Sequence, residues 1–219
     1  MLYDDSAREA PRLPEMPMSS NRPIKSICVY CGSGFGDDPV FAENAALLGR
    51  LMAEREINLV YGGGNVGLMG TVAQSVLDHG GYVTGIIPDF LKSREKLLDD
   101  VQETIVVPDM HTRKRLMFEK ADAFVALPGG IGTLEELVEQ MTWSQLGRHT
   151  KPILMLSTKG FWKPLLTLIA HMREQGFIRP GLELNYLVAE RVEEVIPMVE
   201  DAARRIGIVS NEEAIESQF

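Results

Sequence analysis

The chain has 219 residues, 22 of them Lys or Arg and 31 Asp or Glu, for a formal net charge of −9. Hydrophobic residues at 45% and charged residues at 24% are the proportions of a folded globular domain, and the length suits one domain with tails. The acidic balance excludes a broad positive surface for nucleic acid or anionic membrane, and two cysteines exclude a disulfide scaffold.

Residues 1–23 are acidic, carry Pro11, Pro14, Pro17 and Pro23, and lack a continuous apolar stretch. They read as a disordered extension and not as a secretory signal. No apolar run approaches the roughly 18 residues of a membrane-spanning helix, so a cytoplasmic protein is expected. The folded domain is expected over residues 24–206, with 207–219 as a tail.

From Lys25 onward short apolar runs alternate with longer helical segments. Strands are predicted at Ile27–Tyr30, Asn58–Tyr61, Tyr82–Ile87, Thr104–Val107, Ala123–Leu127 and Ile153–Leu156. Helices are predicted at Pro39–Glu56, Val66–His79, Met110–Lys120, Thr133–Leu146 and Phe161–Gln175, with a last one from Arg191 to about Arg204. Asp38 followed by Pro39 makes a good helix start. Repeated strand–helix–strand units imply an α/β fold: a doubly wound, Rossmann-like parallel sheet with helices on both faces.

In such a sheet the ligand crevice lies beyond the carboxyl ends of the strands. Three predicted strand ends carry glycine clusters: CGSGFGDDP (Cys31–Pro39), YGGGNVGLMG (Tyr61–Gly70) and LPGGIGTLEE (Leu127–Glu136). Glycine lets the backbone turn sharply and approach a ligand, and a helix starting next to it offers free N–H groups to a phosphate. PGGIGT fits this best, with Thr133 adding a hydroxyl. Gly62, Gly64 and Gly67 give a G-x-G-x-x-G spacing, but Gly80, Gly81 and Tyr82 stand where a dinucleotide site needs an acidic residue. A redox dinucleotide enzyme is therefore disfavoured.

His111, Arg113, Lys114 and Arg115 crowd the first turn and a half of the helix after Asp109. Cations there oppose the helix dipole. One reading is a solvated basic turn paired with surface carboxylates; the other is an anion docked at the helix start. With Met110, Met117 and Ala121 as the core stripe, Arg113 and Lys114 flank it and are partly covered. On the helix after PGGIGT, Leu134, Leu137, Val138, Met141 and Gln145 are expected to face the core. Glu136 lies opposite with Gln140 and Trp143, a face expected to be covered by a ligand or another subunit. A carboxylate beside a phosphate loop either compensates the dipole or serves chemistry such as glycosidic cleavage, whose transition state is positive. Cys28 and Cys31 do not suit a redox pair, and His79, His111, His149 and His171 lack metal-ligand spacing, so no metal is expected.

The segments MHTRK (Met110–Lys114), PGGIGTLEE (Pro128–Glu136), GGGNVGLMG (Gly62–Gly70) and TWSQLGRHTKPILML (Thr142–Leu156) together resemble the LOG, or "lonely guy", family. Its members are cytokinin riboside 5′-monophosphate phosphoribohydrolases, often mislabelled lysine decarboxylases. The resemblance runs from about Lys25 to Ala203. It implies hydrolysis of the N-glycosidic bond of a purine nucleoside 5′-monophosphate, cytokinin riboside monophosphate or AMP, by a homodimer that needs no cofactor. Carried over by motif, Arg113 and Glu136 correspond to the catalytic pair. Lys114, Glu95, Thr142 and the stretch Gly130, Ile131, Gly132, Thr133, Leu134 and Glu135 match nucleotide-binding positions. Ser33 and Gly63, from the first two glycine loops, complete the expected substrate-binding set. Two departures stand out: Gly34 replaces a second Ser in the usual CGSS, and Ile131 occupies a position that often holds an aromatic.

Two rival functions follow from the same residues. A non-catalytic nucleotide or phospho-ligand sensor needs the loops but not the Arg113 and Glu136 pair. A decarboxylase needs a Schiff-base lysine for pyridoxal phosphate, and Lys114, the one lysine expected near the phosphate loops, already has another role.

Overall fold

The computed structural model describes residues 24–92, 98 and 100–216; the extension expected over 1–23 lies outside them. Seven strands form one fully parallel sheet in the order β4-β3-β2-β1-β5-β6-β7. They are β1 (Ser26–Tyr30), β2 (Asn58–Tyr61), β3 (Val83–Pro88), β4 (Glu103–Val107), β5 (Ala123–Ala126), β6 (Ile153–Leu156) and β7 (Leu187–Ala189). The helices are α1 (Val40–Glu54), α2 (Gly67–Asp78), α3 (Met110–Lys120), α4 (Ile131–Gln145), α5 (Lys163–Glu174) and α6 (Val192–Glu216). The expected doubly wound α/β fold is the one observed.

The inner strands read as unbroken apolar runs because both sheet faces are covered. On one side a core of Ile27, Val29, Leu48, Met52, Leu59, Val72, Val195 and Val199 joins the sheet to α1, α2 and α6. On the other, Cys28, Tyr30, Val60, Met117, Phe118, Phe124, Leu137 and Met141 join it to α3 and α4. Successive β1 residues alternate between these two cores, as a strand's period of two requires.

The chain winds outward from β1 to β4, then returns to place β5 on the other side of β1. The winding direction therefore reverses between β1 and β5, and at such a switch point the loops diverge and leave a crevice. The loop after β1 and the loop after β5 are tied across it by Gly32 N–H donating to Pro128 O at 3.1 Å.

Three local expectations change. Strand β7 was not expected; its three residues are too few to show a period, and pairing with β6 (Met155↔Val188) defines it. Helix α6 continues to Glu216, well past the end expected near Arg204, and it does so through Pro197. The buried stripe of α4 is Thr133, Leu137, Gln140 and Met141, rotated from the expected one so that Val138 is exposed. Among the described residues, no helix is long and apolar enough to cross a membrane.

Candidate functional site

The site forms where three segments meet at the β1/β5 switch point. Helix α3 starts cleanly because Asp109 caps it, its Oδ1 accepting from Thr112 N–H at 2.8 Å. From that start Met110, Arg113, Met117 and Ala121 follow at helical spacing, so Arg113 lies on the buried stripe itself and is 8% exposed. Its guanidinium runs over the carboxyl ends of β2 and β3. There Nε donates to Ile86 O at 3.2 Å and Nη2 donates to Gly62 O at 3.4 Å. These carbonyls satisfy the cation without neutralising it, and the opposing dipole of its own helix remains. The remaining nitrogen, Nη1, stands 3.7 Å from Glu136 Oε1.

Gly62 explains how so large a side chain fits beside the backbone. A Cβ there would stand 2.0 Å from Arg113 Nη2, so any other residue would displace the guanidinium. Within the G-x-G-x-x-G spacing the first glycine thus makes room for the arginine. The last glycine, Gly67, has φ +61 and packs on Ser33, where a Cβ would strike the backbone carbonyl carbon at 2.3 Å. The first amides of α2 are already taken, since Leu68 and Met69 N–H both donate to Gly32 O. That helix start is spent on loop packing and is closed to an anion.

Helix α4 is different. Its N-cap is Gly130, which has no side chain to cap the helix, so the first-turn amides of Ile131, Gly132 and Thr133 are left to whatever fills the cleft. The cleft holds about 260 Å³ and is lined by Cys31, Gly32, Ser33, Met69, Arg113, Gly130–Thr133 and Glu136. Anion-binding amides therefore stand at one end and the Arg113–Glu136 pair at the other.

Glu136 is 12% exposed. Burial pushes its carboxyl up to about 7, against the pull of Arg113 and Lys114 and with a further push from Glu135 and Glu139. A carboxylate poised near neutrality can hold or take a proton in the working pH range. Burial likewise pushes the Cys28 and Cys31 thiols up; both cysteines are free. Among the described residues, no group of three or more His, Cys, Asp or Glu side chains is placed to hold a metal ion.

Of the residues singled out in the sequence, Ser33, Arg113, Gly130, Ile131, Gly132, Thr133 and Glu136 come together in this cleft. Lys114 and Glu135 are not among its lining residues and pair with each other at 2.6 Å. Gly63 is buried against β3, Leu134 is packed into the α3/α4 core, and Thr142 is exposed and donates to Val138 O of its own helix. These three do not line the cleft, and Glu95 lies outside the described residues. Trp143 needs no ligand or second subunit to cover it. It stands edge-on to Phe118 at 5.3 Å under the Arg148 guanidinium, and Gln140 beside it is fully buried. The sequence reading missed Cys31, Gly32 and Met69 as cleft walls and the two carbonyls that hold Arg113. Backbone acceptors leave no side-chain signal; Gly62 was the one available pointer.

The family described as possible lysine decarboxylase matches residues 69–199. A cytokinin riboside 5′-monophosphate phosphoribohydrolase of Arabidopsis thaliana is 47% identical over 178 residues, covering 81% of this chain and 82% of that protein. A probable cytokinin riboside 5′-monophosphate phosphoribohydrolase of Oryza sativa subsp. japonica is 44% identical over 187 residues, or 85% and 77% of the two chains. Among solved structures, the molybdenum cofactor binding protein of Rippkaea orientalis superposes with a TM-score of 0.60 at 24% identity, covering 84% of this chain and 98% of its own. That likeness is one of fold alone.

Proposed function

Since the chain belongs to the LOG family, whose matching profile is described as possible lysine decarboxylase, we propose that it hydrolyses the N-glycosidic bond of adenine-type nucleoside 5′-monophosphates. The products are the free base and ribose 5-phosphate. The observation that carries this reading is the cleft itself: uncapped α4 amides at one end and the Arg113–Glu136 pair, 3.7 Å apart, at the other.

The 5′-phosphate docks on the amides of Ile131, Gly132 and Thr133, with Ser33 beside them. Binding energy gained there, remote from the bond that breaks, orients C1′ of the ribose towards Glu136. As the bond to the base lengthens, the sugar gains positive charge, which the Glu136 carboxylate stabilises while it positions a water for attack on C1′. Arg113, fixed by Ile86 O and Gly62 O, orients that carboxylate through a charge-assisted contact. A decarboxylase reading is not supported: among the described residues no lysine lines the cleft, and Lys114 is engaged by two carboxylates.

Residues Ile131 (80% exposed), Val138 (42%) and Leu146 (75%) lie on one side of α4 and its C-cap, within about 80° of one another. That apolar side supports a homodimer through this helix.

The test is incubation of purified protein with AMP and, separately, isopentenyladenosine monophosphate, followed by chromatography for released base. Release from either, lost in Glu136→Gln while nucleotide binding persists, is the expected result. The ratio of the two rates assigns the protein to AMP salvage or to cytokinin release. Tight AMP binding with no release from either nucleotide would overturn the enzyme reading and leave the phospho-ligand sensor.

A further inference from the structure

Helix α4 presents Glu135, Glu136 and Glu139 to two of the cations of α3, Arg113 and Lys114. Of these five, Arg113 and Glu136 line the cleft. The Lys114 ammonium, its side chain 13% exposed, donates to Glu135 Oε1 at 2.6 Å and to Glu139 Oε1 at 2.9 Å. The two acceptors are not equivalent. Glu135 is 52% exposed and water can solvate it. Glu139 is 21% exposed, and its Oε2 is enclosed with no hydrogen-bond partner among the described residues. A carboxylate so enclosed has little water to turn to and relies on the adjacent ammonium as its partner. Glu139 and Lys114 therefore hold each other, whatever Glu135 does.

The geometry gives that contact a consequence. Lys114 directly follows Arg113 on α3, and Glu139 stands three residues beyond Glu136, one turn along α4. The Lys114–Glu139 bond thus joins the same two helices as the Arg113–Glu136 pair. At 3.7 Å that pair is too long for a hydrogen bond to fix its own spacing. The 2.9 Å bond one turn away is short enough to fix it.

We infer that Glu139 is a positioning residue for the reaction: acting through Lys114, it braces α3 against α4 and holds the Arg113 guanidinium and the Glu136 carboxylate at their working separation. The inference rests on the reading of Glu136 as the carboxylate that acts on the sugar. It also has an electrostatic side. The groups around Glu136 are Arg113 and Lys114 from α3, Glu135 and Glu139 from its own helix, and Cys28, Tyr30 and Cys31 from β1 and the loop after it. The last three are kept neutral by burial, so the balance lies between two cations and two anions. Removing the charge of Glu139 lowers the Glu136 carboxyl below about 7, and removing that of Lys114 raises it.

The experiment is steady-state kinetics on the adenine nucleotide from about pH 5 to pH 9 for wild type, Glu139→Gln, Glu139→Asp, Lys114→Met and the Glu139→Gln, Lys114→Met double variant. A 13C NMR titration of the Glu136 carboxyl accompanies it. Glu139→Gln should lower kcat about tenfold or more, with KM changed less than about threefold, because misplacing a reacting group costs turnover more than binding. Its acidic limb should move to lower pH, and that of Lys114→Met to higher pH. The double variant should lose no more kcat than Lys114→Met alone, since Glu139 acts through that lysine. Glu139→Asp keeps the charge and should leave the limb in place, so the pH readout survives even if the amide variant folds poorly. A Glu139→Gln enzyme with kcat within about twofold of wild type and an unmoved limb would overturn the inference. So would losses that multiply in the double variant. Were wild type to release no base, the proposed reaction would fall, while the NMR titration, moved or unmoved by Glu139→Gln, would still decide the link between the carboxylates.

Discussion

At the scale of single residues, Glu136 trades stability for chemistry. Burial holds its folded carboxyl at about 7, above the 4.5 of an exposed glutamate. Between those values the folded protein holds the proton more tightly than the unfolded chain, so charging Glu136 costs stability as pH rises through about 7. Below about 4.5 both states are protonated and the cost vanishes. It amounts to on the order of 2–3 kcal/mol when complete. Glu136→Gln should therefore raise Tm by several degrees near pH 8 and leave it nearly unchanged near pH 4. Calorimetry at the two pH values checks this, and a lower Tm at pH 8 would contradict it. If the ionised form acts on the sugar, wild-type kcat/KM should fall as pH drops below about 7. Gly62 carries a second prediction. Gly62→Ala places a Cβ 2.0 Å from Arg113 Nη2 at a backbone conformation alanine can adopt. The fold should survive by circular dichroism while kcat/KM falls about 100-fold or more, because the guanidinium must leave its place. Activity within a few-fold of wild type would show that Arg113 need not stand there.

At the scale of elements, three helix starts face the same crevice and differ in what occupies their amides. The start of α2 is closed by Gly32 O, that of α3 is capped by Asp109, and that of α4 is open. One of three glycine-rich or basic turns is thus free to bind phosphate, a distinction set by neighbouring loops. Helix α4 also has two working faces. One carries Glu136 to the cleft and Gln140 and Met141 to the core; the other exposes Ile131, Val138 and Leu146. If that second face is the homodimer contact, Val138→Glu with Leu146→Glu should halve the molar mass measured by light scattering, since each buries a charge against apolar surface. An unchanged mass would place any dimer contact elsewhere. Because Ile131 belongs both to the exposed line and to the cleft wall, loss of the dimer should also weaken nucleotide binding.

At the scale of the whole molecule, the winding reversal between β1 and β5 creates the site, and little else in the fold needs to be special. The sequence by itself determined the parallel α/β class, six of the seven strands and all six helices. Apolar runs and helical periods are properties of neighbouring residues, and propensity and patterning act at that range. It also determined that PGGIGT starts a helix with open amides and that the cations of α3 needed a partner, because a helix dipole is a local field. Only the tertiary structure decided what that partner is. Arg113 is held by the carbonyls of Ile86 in β3 and Gly62 just past β2, and Lys114 by two carboxylates of another helix. Those groups lie 21 to 51 positions away in the chain. The same holds for β7, which exists only as a partner of β6, and for Trp143, whose exposed-looking face is covered by Phe118 and Arg148. In each case the deciding interaction is a close approach between segments distant in sequence, and packing, not residue type or spacing, brings them within a few ångströms.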